Sequence, residues 1–126
     1  MEESTFKLGQ IGVVMLGVGE LARSVPFYRD KLGLMVKGQN EGFAFLDGGG
    51  VTLCLSEPLG RVRQPIPGAT EVVFSVQDVR GAHQVLAARG VPFTQEPRNV
   101  TGTLWAANFQ DPDGHNLSIF GPEGHA

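Results

Sequence analysis

Val13-Val14-Met15-Leu16-Gly17-Val18-Gly19-Glu20-Leu21 and, 58 residues later, Glu71-Val72-Val73-Phe74-Ser75-Val76-Gln77-Asp78-Val79 spell one pattern twice. Each is an apolar, β-branched-rich run closed by an acidic residue and an apolar one, the composition of a strand covered on both faces leading into a helix. A second pair follows: Asp47-Gly48-Gly49-Gly50-Val51-Thr52-Leu53-Cys54-Leu55 against Asp111-Pro112-Asp113-Gly114-His115-Asn116-Leu117-Ser118-Ile119, at an offset of 64. A duplicated unit brings equivalent positions together around a pseudo-twofold axis. Chemistry built there draws residues in pairs, and the pairs can be inspected one at a time.

Around these repeats the chain is ordinary in composition. Its 126 residues, 41% of them apolar, suit one domain with its own core. No apolar run reaches the roughly 20 residues of a membrane span, and the acidic start Met1-Glu2-Glu3 lacks the layout of a secretory signal. Cys54 is the one cysteine, so no internal disulfide forms and a cytoplasmic setting is expected. A net charge of −3 argues against nucleic acid as a partner and leans weakly toward cationic small ligands.

Module one is expected at about 9–56, a linker at 57–69, and module two at about 70–122. The linker assignment rests on Pro58, Gly60, Pro65, Pro67 and Gly68, with Arg61 and Arg63 as a solvated face. In module one Ser24-Val25-Pro26 reads as a helix start with Ser24 as cap, and Gly33 as the stop. In module two Asp78 caps a helix over Val79–Arg89 that Gly90 ends. Hairpins are expected for Phe43–Leu46 with Val51–Leu55, and for Leu104–Phe109 with Asn116–Phe120 across a type I Asp-Pro-Asp-Gly turn. Further strands near Leu34–Lys37 and Val91–Thr94 would make each copy βαβββ.

The stretch Gly19-Glu20-Leu21-Ala22-Arg23-Ser24-Val25-Pro26-Phe27-Tyr28-Arg29-Asp30-Lys31-Leu32-Gly33-Leu34, together with Asp111-Pro112-Asp113-Gly114, resembles the vicinal oxygen chelate superfamily. That superfamily holds glyoxalase I, extradiol dioxygenases, and fosfomycin- and bleomycin-resistance proteins, and the resemblance covers about residues 9 to 122. It implies an α+β fold of two tandem βαβββ modules forming an open, barrel-like mixed sheet around a concave pocket, often in a homodimer. It says little about the reaction, because one fold hosts many chemistries.

In metal-using members four ligands come from two strands of each module, and the motifs place those positions at Val13, Cys54, Glu71 and Ser118. Val13 offers no lone pair and Ser118 a neutral hydroxyl. Glu71 and Cys54 are the two candidates should a divalent metal such as zinc, nickel, manganese or iron bind, one fewer than catalytic zinc normally has. The histidines do not fill the gap. His83 falls on the second helix, His125 in the tail, and His115 on the far side of its strand. The expectation is therefore no metal cofactor.

Strand alternation then gives the inner wall. Val13 and Met15, with Glu71 and Val73, should face the cavity from the first strands. Phe43, Phe45, Thr52 and Cys54 should face it from the first hairpin. From the second hairpin Phe109, Asn116 and Ser118 occupy the matching places, and Trp105 and Phe120 extend the face. Such a wall, apolar and aromatic with a few polar groups, is that of a small-molecule pocket. Each residue also has a plainer reading. Glu71 can sit at a strand end in solvent, or, buried between Phe43 and Phe109, serve as a general base. Cys54 reads as a small buried apolar residue, since no His is placed to activate it. The aromatics can be plain core.

The leading expectation is a metal-independent small-molecule binding protein of the bleomycin-resistance type, sequestering a drug or natural product from clefts formed in a homodimer. The alternative is a lyase, isomerase or dioxygenase acting on a small carbonyl or aromatic substrate, with Glu71 as base or metal ligand.

Overall fold

The repeated apolar runs become the first strands of two sheets. The computed structural model describes residues 9–62 and 70–125. In the first module β1 (Val13–Gly17) leads to α1 (Leu21–Pro26), a π-helical turn (Phe27–Lys31), then β2 (Val36–Asn40), β3 (Phe43–Asp47) and β4 (Thr52–Ser56). After α2 (Glu57–Val62) the second module repeats the order with β5 (Glu71–Ser75), α3 (Val79–Ala88), β6 (Phe93–Thr101), β7 (Leu104–Gln110) and β8 (Asn116–Pro122). The sheets run β1-β4-β3-β2 and β5-β8-β7-β6. In each, the first strand is parallel to the last and the other pairings are antiparallel. The architecture is α+β, with two open four-stranded mixed sheets rather than a closed barrel. No helix among the described residues is long and apolar enough to cross a membrane.

Two local expectations are corrected. Ser24 is not a helix cap: α1 begins at Leu21, and Glu20 at its N-cap makes no side-chain bond. The Leu21 amide instead donates to Glu57 Oε2 at 2.8 Å, so α2 supplies the partner. Pro26 lies at the end of α1, where its missing N–H and its ring disrupt the helical ladder. The chain widens there into the π turn, with the Leu32 amide reaching Phe27 O at 3.1 Å, until Gly33 at φ +81° ends it. The second correction is that Glu57–Val62, within the expected linker, is a helix rather than an irregular segment. It lies against β1, and a Cβ on Gly60 would overlap the Val18 carbonyl, which is why glycine stands there. The rest of the expected linker, with Arg63, Pro65, Pro67 and Gly68, lies outside the described residues.

Helix α3 behaves as its sequence dictates, with Asp78 accepting from the Gly81 amide at 2.8 Å. Beneath the helices Leu16, Val18, Val25, Tyr28, Leu46, Leu55, Phe109, Leu117 and Ile119 are buried in one cluster drawn from both modules. The joint between modules is polar at its rim. The Asp111-Pro112-Asp113-Gly114 turn reaches into module one, where Asp111 Oδ2 accepts from Tyr28 Oη at 2.8 Å and Asp113 accepts from Ser24 Oγ and the Gly19 amide. Arg23 pairs with Asp113 at 2.8 Å, and His115 Nε2 meets Gly17 O at 2.6 Å. The modules therefore meet through their helix-covered sides, and the opposite sheet faces look outward.

Candidate functional site

On the outward face of module two lies a cleft of about 460 Å³ lined by Glu71, Val73, Arg98, Val100, Ala106, Asn108, Ser118 and Phe120. Strand pairing sets Glu71 opposite Asn116 and Val73 opposite Ser118, which brings the carboxylate and the serine to one face. Ser118 Oγ donates to Glu71 Oε2 at 2.8 Å, and Asn108 Nδ2 donates to Oε1 at 3.3 Å. Asn108 Oδ1 in turn accepts from Arg98 Nη1 at 2.8 Å. A polar chain Arg98–Asn108–Glu71–Ser118 thus crosses a wall that is otherwise apolar.

The outward face of module one is plainer. Met15 and Phe45 both pair with Cys54, and Val13 and Asp47 both pair with Thr52. Phe43 and Phe45 lie in a stacked arrangement, 6.4 Å apart, half-buried. Thr52 Oγ1 accepts from Lys37 Nζ at 2.6 Å. Cys54 is fully buried among these side chains, and burial pushes its thiol pKa up. Its sulfur therefore stays protonated through neutral pH, a poor nucleophile and a poor metal ligand.

The two faces do not close over each other within the chain. Val13, Met15 and Val73 are 52%, 47% and 50% exposed, and no residue of module one lines the module-two cleft. The expected single cavity is thus two half-walls. Glu71 is exposed rather than buried between Phe43 and Phe109. Asn116 shares its strand face but turns aside at the rim, bonding Gln110 and Thr70.

Phe109 and Trp105 do not face the cleft. Phe109 is 1% exposed in the core, 5.1 Å from Phe93, and Trp105 packs on the helix side under the Arg80 guanidinium. The cause is one residue in a turn. Asp47 pairs with Thr52, but the equivalent Asn116 pairs with Gln110, so the second turn is one residue longer. The offset of 64 that relates β4 to β8 becomes 63 between β3 and β7, and a slip of one residue turns every side chain over. Phe45 therefore corresponds to Asn108, and Phe43 to Ala106. Asn108 and Arg98 are the functional candidates that the sequence reading missed. The turn lengths hold the signal for Asn108; Arg98 lies in an irregular strand with three register shifts, for which no sequence pattern stood out.

The metal positions do not fit a metal. Val13 has no donor atom, the Cys54 thiol is buried, and both Glu71 oxygens already accept hydrogen bonds from neutral donors. Arg98 brings a cation into the same cleft. Among the described residues no three His, Cys, Asp or Glu side chains come together. His83 packs edge-on to Phe93 at 4.5 Å on the helix side, and the His125 amide bonds Asp78. A second cavity of about 410 Å³ lies between the modules, lined by Leu32, Leu34, Phe74, Val85 and Leu86 with Arg89 at its side. Arg89 already donates to Lys31 O at 2.8 Å, and this seam offers no reactive group.

A model of the family described as glyoxalase/bleomycin resistance protein/dioxygenase superfamily matches residues 10–119. The chain belongs to that superfamily. An uncharacterized protein of Mycolicibacterium smegmatis is 32% identical over 114 residues, 90% of this chain and 94% of the other. Glutathione transferase FosA of Serratia marcescens is 29% identical, covering 89% and 80%. Among solved structures, TnmS3, an antibiotic binding protein from Streptomyces sp. CB03234, superposes with a TM-score of 0.77 at 21% identity, covering 93% of this chain and 98% of that one. That likeness speaks to the superfamily fold and to nothing finer.

Proposed function

We propose that this superfamily member is a small-molecule binding protein that works without a metal ion. Its clefts would form when the module-one face of one copy covers the module-two face of a second. The observation that carries the reading is the pair of unmatched walls. One is aromatic and apolar (Phe43, Phe45, Met15), the other apolar with one polar chain, and both are open to solvent. Exposed Val13, Met15 and Val73 on β1 and β5, the edge strands of the two sheets among the described residues, are a surface that a second copy would cover. Binding by TnmS3 of an antibiotic, as its description states, is in keeping with such a cleft. Titration of chelator-treated protein with aromatic and glycopeptide natural products, read by thermal shift, tests the proposal. The expected result is stabilisation by an aromatic ligand and a mass by light scattering of two chains. A monomer that no compound stabilises overturns it.

Glu71 supports a second reading, because it is the carboxylate of the cleft and Ser118 and Asn108 aim it. It could take a proton from a carbonyl-containing substrate as a general base, and the 29% identical FosA is described as a glutathione transferase. Once a substrate is known, Glu71→Gln that keeps full turnover removes this reading.

A further inference from the structure

Arg98 stands on the apolar wall of the cleft with part of its guanidinium uncommitted. Its Nη1 donates to Asn108 Oδ1 at 2.8 Å and reaches Ala106 O at 3.4 Å. Among the described residues nothing accepts from Nε or Nη2. The side chain is half-buried beside Val73, Val100, Ala106 and Phe120. Desolvating a cation against apolar surface is costly unless an anion or acceptors compensate it.

The carboxylate in the cleft does not compensate it. Asn108 stands between the two, its oxygen toward Arg98 and its amide nitrogen toward Glu71 at 3.3 Å. Glu71's other oxygen is taken by Ser118. The charges are therefore held apart by a neutral spacer, and Asn108 fixes the guanidinium plane while leaving one edge of its donor fork free. A forked, planar donor pair is the geometry that matches a carboxylate or a similar oxyanion.

We infer that the ligand carries an acidic oxyanion on an apolar body, and that Arg98 binds that group through Nε and Nη2 while Val73, Val100 and Phe120 hold the body. Arg98 then supplies the positive charge that the unfitted metal positions cannot. The inference rests on the cleft being a small-molecule site, and goes beyond that reading by naming the ligand's chemistry. It also runs against the chain's net charge of −3, which by itself leans toward cations.

The test compares cinnamate with cinnamamide, which share shape and apolar body and differ in charge, by calorimetric titration. Wild-type protein is expected to bind cinnamate about tenfold or more tighter than the amide. Arg98→Met should erase that preference, bringing the two affinities together. Arg98→Lys should keep part of it, having the charge without the fork. Equal binding of the two by the wild type overturns the inference, as does a preference that survives in Arg98→Met. Should Arg98→Met fail to fold, the wild-type comparison and Arg98→Gln decide it. Failure of both compounds to bind overturns the cleft reading itself, whereas cinnamamide binding without preference overturns only the role of Arg98.

Discussion

Module one and module two share strand order and pairing, yet they present different outward walls. The first offers a wall of Met15, Phe43, Phe45 and a buried Cys54; the second places Asn108 and Ser118 where the first has Phe45 and Cys54. On two similar scaffolds, different residues at equivalent places make one wall apolar and give the other a polar chain. The turns diverged as well. Asp47 closes a local glycine turn, while Asp111, one residue further on in a longer turn, fastens the two modules together.

The register difference gives the largest test. Phe109→Ala should cost about 3–5 kcal/mol in chemical denaturation, since it empties a fully buried site. Phe45→Ala on the open face should cost about 1 kcal/mol or less. Similar losses at both positions would mean that the unslipped register is right. Next comes the pair of turn aspartates. Asp111→Ala leaves the Tyr28 hydroxyl and the Asp113 and His115 amides without their acceptor and should cost about 3 kcal/mol. Asp47→Ala loses only a bond from the exposed Gly49 amide and should cost at most about 1 kcal/mol.

Helix starts sharpen the comparison further. Asp78→Ala should lower stability by about 1 kcal/mol, because α3 loses a cap bond. Glu20→Ala should stay within about 0.5 kcal/mol, because α1 has no side-chain cap to lose. The smallest effect separates Cys54 from Ser118. Burial raises the Cys54 thiol pKa, so the folded state holds that proton more tightly than the unfolded chain does. The resulting stability is full below the ordinary thiol range of about 8.5 and fades as pH rises through the folded value. Melting temperature should therefore fall more between pH 7.5 and 9.5 (roughly a unit either side of that range) for wild type than for Cys54→Ser. Equal falls would remove the claim.

The sequence by itself determined the fold. Two apolar β-branched runs at one spacing, a cap at Asp78, glycine stops and the Asp-Pro-Asp-Gly turn are signals legible in short windows, and the structure contains each of them. Local rules also told the helix-covered from the open side along β1, β4, β5 and β8, where Ser118 and Glu71 indeed share a face. They failed at β7, where one added turn residue changes the pairing and hides Phe109 while exposing Asn108. They failed at α2 and at Ser24, whose partners, β1 and Asp113, are distant in sequence. Only the tertiary structure decided that Arg98 reaches the cleft, that Asn108 separates it from Glu71, and that the two walls look outward. Those outcomes depend on which faces of two separate sheets pack together, a long-range balance of buried area that no short window of sequence contains.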